Sequence, residues 1–82
     1  MIVEIFGPPD RRRDDLERSV RTALDELGVA QDATVYRIED PASMVGRGVW
    51  RAPGLAVGGK VVARGRELTA AEVMDLIRAA AG

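Results

Sequence analysis

The 82 residues of this chain predict an α/β fold in the order β-α-β-α-β-β-α, a four-stranded mixed sheet with helices on both faces. Three observations carry that prediction. A branched apolar run opens the chain and gives way to apolar residues at helical spacing. A second strand-like run follows that helix, and strand–helix–strand units are nearly always right-handed crossovers joining parallel strands. Two later apolar runs then flank a Gly-Gly pair, a hairpin signal that adds antiparallel strands.

The elements follow in order. Met1 to Phe6 (MIVEIF) is short, branched and apolar, ends at Gly7, and reads as a strand. From Asp10 the period changes: Leu16, Val20, Ala23, Leu24 and Leu27 fall on one helical face. Asp10 suits the N-cap, its carboxylate accepting first-turn N–H groups, and Gly28 suits the C-terminal cap. Ala33 to Ile38 (ATVYRI) alternates and is β-branched, giving a second strand. Asp40-Pro41 starts a helix that Gly46 and Gly48 keep brief. Gly54 to Val57 and Lys60 to Ala63 flank Gly58-Gly59 as the hairpin. Thr69-Ala70-Ala71-Glu72 is a capping box for a last helix with Val73, Leu76, Ile77 and Ala80 on its apolar face. Met44 and Met74 sit at helical apolar positions and read as core. The length suits one domain over residues 1–82.

Composition limits the chemistry. There is no cysteine and no histidine among the 82 residues, so thiol nucleophiles, disulfides, ordinary zinc sites and an imidazole base are all missing. No cofactor is implied. Twelve basic residues against thirteen acidic ones argue against a general nucleic-acid binder. The apolar N-terminal stretch is short and broken by Glu4, which makes neither a membrane span nor a cleavable signal, so a cytoplasmic location is expected. Asp14, Asp15 and Glu17 resemble metal ligands only in composition; they read as a solvated helix face. Trp50 reads as a partly buried packing residue, with an exposed anchor for a partner or a second copy of the chain as the alternative.

The stretch FGPPDRRRDDLE, Phe6 to Glu17, is the most unusual. Arg11, Arg12 and Arg13 stand where a helix begins, although the helix dipole favours negative charge there. Two readings stay open. In one, the three are solvated side chains whose repulsion is offset by Asp14 and Asp15. In the other, they build an anion or carboxylate site at the helix start.

The element order, with a proline just before the hairpin, resembles the thioredoxin fold, and more narrowly the small thioredoxin-like proteins of the small redox-active disulfide type. The resemblance covers nearly the whole chain. It rests on Phe6-Gly7 and on Leu16-Glu17-x-x-Val20-x-x-Ala23-Leu24 in the first half. In the second half it rests on Ala52-Pro53-Gly54-Leu55, Gly59-Lys60-Val61-Val62, Gly65-Arg66 and the Glu72 helix. It places the family's two cysteine positions on Asp10 and Arg13. A carboxylate and a guanidinium cannot form a mixed disulfide, so dithiol chemistry is excluded for these residues. The resemblance also implies a cis peptide before Pro53 that faces the active-site turn, and with it an Arg51 that projects toward Arg11 and Arg12.

The expected function is therefore a redox-inactive scaffold serving as a small binding or assembly module. Its candidate surface is the former active-site face: Pro8, Pro9, Asp10, Arg11, Arg12, Arg13, Arg51, Ala52 and Pro53. The expected partners are a protein or peptide paired with the Ala52 backbone beside Pro53, and a small anion at the first helix's start. The alternatives are a non-redox enzyme using Asp10 with the nearby arginines, and a thiol-free subunit of a redox complex.

Overall fold

The computed structural model describes residues 1–81. The elements are β1 (Ile2–Phe6), α1 (Arg11–Leu27), a 3-10 turn (Ala30–Asp32), β2 (Thr34–Ile38), α2 (Pro41–Gly46), β3 (Gly54–Val57), β4 (Lys60–Arg64) and α3 (Ala70–Ala81). The sheet runs β2-β1-β3-β4. β1 and β2 are parallel, in register from Ile2 opposite Thr34 to Phe6 opposite Ile38. β1–β3 and β3–β4 are antiparallel, with a bulge beside Leu55 and Ala56. This is the mixed sheet the sequence predicts. The short 3-10 turn carries no periodic signal of its own and was not expected.

Strand alternation divides the core. Val3, Ile5, Leu55, Val57 and Ala63 point to one face, where Leu16, Val20 and Leu24 of α1 and Val73 and Ile77 of α3 cover them. Phe6 and Ala56 point to the other, under Met44 and Val49. Each large aliphatic so buried contributes about 1.5–3 kcal/mol relative to an exposed one. Helices thus lie on both faces, but unequally. Among the described residues the six-residue α2 is the only helix on its side, and Ile2 and Tyr36 there stay half-exposed.

Capping fixes the helix ends. The Asp10 carboxylate accepts from the Arg13 amide at 3.0 Å and Asp40 from the Ser43 amide at 2.9 Å. Thr69 and Glu72 exchange reciprocal bonds of 3.2 and 3.0 Å. Gly28 ends α1 at φ 73°, a left-handed value that a side chain would strain.

Several expectations need correction. Met1 and Ala33 lie outside their strands, and β4 extends to Arg64. Ala80 is exposed, lining an open hollow with Met1, Val57 and Lys60, and Met74 and Leu76 are only half-buried. Glu17 is not on a solvated face but 8% exposed, between Arg37 of β2 and Arg21 one turn on. Trp50 is not a packing residue: it is 74% exposed, because its neighbour Val49 takes the inward position.

Candidate functional site

The site forms where β1 runs out. After Phe6 the chain turns at Gly7 (φ 147°) through exposed Pro8 and Pro9 into Asp10 and α1. A Cβ placed on Gly7 would lie 3.4 Å from both the Ala52 side chain and Cγ of Arg13. The Pro53 loop and the first turn of α1 therefore flank one glycine. The Ala52–Pro53 peptide is cis, as the resemblance implies. Pro53 itself is buried, and its carbonyl accepts from the Gly65 amide at 2.8 Å.

The three consecutive arginines separate. Arg11 stays in solvent, its side chain 94% exposed and 3.8 Å from Asp15. Arg12 turns toward Glu67, at 3.6 Å. Arg13 is not a solvated side chain: it turns inward and only 6% of it stays exposed. Its guanidinium donates to Glu39, beyond β2, and to Asp14 at 3.1 Å. The Glu39 bond, then Asp14, hold it charged against the opposing effect of burial. Its Nε has no partner. Arg13 thus ties the start of α1 to the end of β2 and does not stand in solvent with Arg11 and Arg12.

Arg51 is exposed, and its stem lies along Gly65: a Cβ on that residue would approach Arg51 Cβ to 2.9 Å. Arg12 and Arg51 accordingly both border the Gly65-Arg66-Glu67 segment, one through its ion pair and the other through its stem.

Elsewhere the charges close on each other. Glu17 accepts from Arg37 at 2.6 and 2.7 Å and from Arg21 at 3.1 Å. The Arg37 bonds foremost, reinforced by Arg21 and opposed by burial, bring the Glu17 carboxyl down to about 2. On the α2 side Arg47 grips Glu4 through bonds of 2.7 and 2.9 Å, reaches the Gly59 carbonyl and lies 5.4 Å over the Phe6 ring. Those Arg47 bonds hold the Glu4 carboxyl below its ordinary range. Sequence spacing gives no sign of either pair, since the partners are 20 and 43 residues apart.

Chemically, the turn presents cations, backbone groups and the Asp10 carboxylate, and no thiol. Asp10 is occupied as a helix cap and Arg13 as a structural tie. Among the described residues no cluster of His, Cys, Asp and Glu suited to a metal ion occurs, and no helix is long and apolar enough to cross a membrane. A family model described as thioredoxin domain matches residues 1–78. No curated protein matches the chain.

Proposed function

Because the chain belongs to the thioredoxin-domain family and carries no cysteine, we propose that it is a redox-inactive member whose scaffold serves as a binding module. The observation that carries this reading is the fate of Asp10 and Arg13. One caps α1 and the other is buried against Glu39. Both are committed to holding the frame, so the turn stays in place without the chemistry. What that turn leaves to a partner is Pro8, Pro9, Arg11, Arg12, Arg51 and the backbone at Ala52 beside Pro53. Backbone N–H and C=O groups at such a loop pair with an extended peptide, and this needs no thiol. Arginines at its rim suit a carboxylate or phosphate.

The test is a titration of the labelled protein with phosphate, sulfate and an acidic peptide, following the amides of Asp10 to Arg13 and of Ala52. Saturable shifts at these amides in the low millimolar range or below are expected. If none moves at millimolar ligand, this face binds neither class.

A further inference from the structure

Nine of the eleven arginines approach a carboxylate within 4.0 Å. Among the described residues Arg51 and Arg64 do not, and they lie together. Arg64 donates from Nε to the Gly48 carbonyl at 2.8 Å, and its Nη2 would sit 3.8 Å from a Cβ on Gly48. Arg51 lies over Gly65, the residue after Arg64, where a side chain would collide with it. Gly48 (φ 78°) and Gly65 (φ 65°) both take left-handed backbone that favours glycine, and Gly65 also leaves room for the Arg51 stem. The segment from Gly48 to Arg51 is pinned at each end by one of these two cations. Trp50 belongs to that segment; it is the only Trp in the chain and the most exposed of its large apolar side chains.

We propose that Trp50, Arg51 and Arg64 form an anchor for an acidic peptide segment that also carries an apolar residue. This rests on the binding-module reading and assigns that module's partner its chemistry. The indole offers a broad, rigid apolar surface at low entropic cost, and such residues dominate binding energy where a partner covers them. The two guanidiniums lack internal carboxylates, so a partner's carboxylates complete them, and fixed stems reduce the ordering cost. A single-stranded nucleic acid fits less well. Tracking its backbone takes a groove of cations beside several stacking rings. Here one ring and two arginines without a carboxylate partner among the described residues stand on a chain of net charge −1.

Trp50 reports on its own site through its fluorescence. The probes are a capped peptide alternating glutamate with leucine, its glutamine–leucine analogue, and an oligouridylate. On the parent chain the glutamate peptide is expected to move Trp50 emission to shorter wavelength and to bind at least about fivefold tighter than the glutamine peptide. High salt, which screens exposed charges, removes that advantage, as does the double variant Arg51→Gln/Arg64→Gln. The comparison of the two peptides on the parent chain stands even where the variant folds poorly.

Equal affinity for the two peptides, or a bound peptide that leaves the indole unmoved, overturns the anchor; shifts at Ala52 and Asp10 to Arg13 would then still support the wider module. A response at Trp50 with those amides silent retains the anchor and removes the former active-site face. Binding of neither peptide at millimolar concentration removes the anchor, and leaves to the wider module only the small anions of its own titration. Tighter capture of the oligouridylate than of the glutamate peptide assigns the site to nucleic acid and also overturns the proposal.

Discussion

At the scale of single residues, Glu17 shows how placement changes a side chain's role. It sits on α1 between a leucine and an arginine, yet its carboxylate is almost enclosed and chelated by Arg37. A carboxyl brought from 4.5 to about 2 adds stability that is complete above its ordinary value and is lost as pH falls toward 2. Glu17→Gln is therefore expected to cost about 1–2 kcal/mol near neutral pH, because Arg37 is half-exposed and regains water. Urea unfolding across the acid range checks the sign: the gap between parent and variant should narrow from pH about 4.5 toward about 2. A gap that stays constant with pH would mean that the carboxylate's charge contributes nothing.

At the scale of elements, local signals were readable and distant ones were not. Asp10, Asp40, Thr69–Glu72 and Gly28 cap helices through bonds spanning three or four residues, and spacing within the chain reveals each of them. Glu4–Arg47 and Arg13–Glu39 span 43 and 26 residues. Each joins elements that only the folded chain brings together, so nothing in their local pattern marks Arg13 as buried or Glu4 as paired. Trp50 was misread for a related reason. Beside a buried Val49, one backbone step decides which side chain faces inward, and no periodic pattern in that loop sets the step. The candidate site was legible as a set of positions, but not in how its arginines divide. Asp10→Ala tests the reading of Asp10 as a cap: thermal or urea unfolding should show a loss of about 1 kcal/mol with the fold retained. A variant as stable as the parent would free Asp10 for some other role.

At the scale of the whole molecule, a thioredoxin-like frame persists around a turn with no thiol. The frame does not depend on sulfur. Apolar packing on the α1/α3 face, the Arg47 clasp on the α2 side and the Arg13–Glu39 tie hold together the same parts that a dithiol protein would use. The Arg13 amide already reaches the Asp10 carboxylate at 3.0 Å across this turn, near enough for small adjustments to bring two cysteines into bonding range. The most direct measurement is insulin reduction by dithiothreitol with the parent chain and with the double variant Asp10→Cys/Arg13→Cys. The parent is predicted to stay at background, while the variant forms one intramolecular disulfide and accelerates the reaction. Turnover by the parent, or a folded variant whose two thiols never pair, would contradict the account.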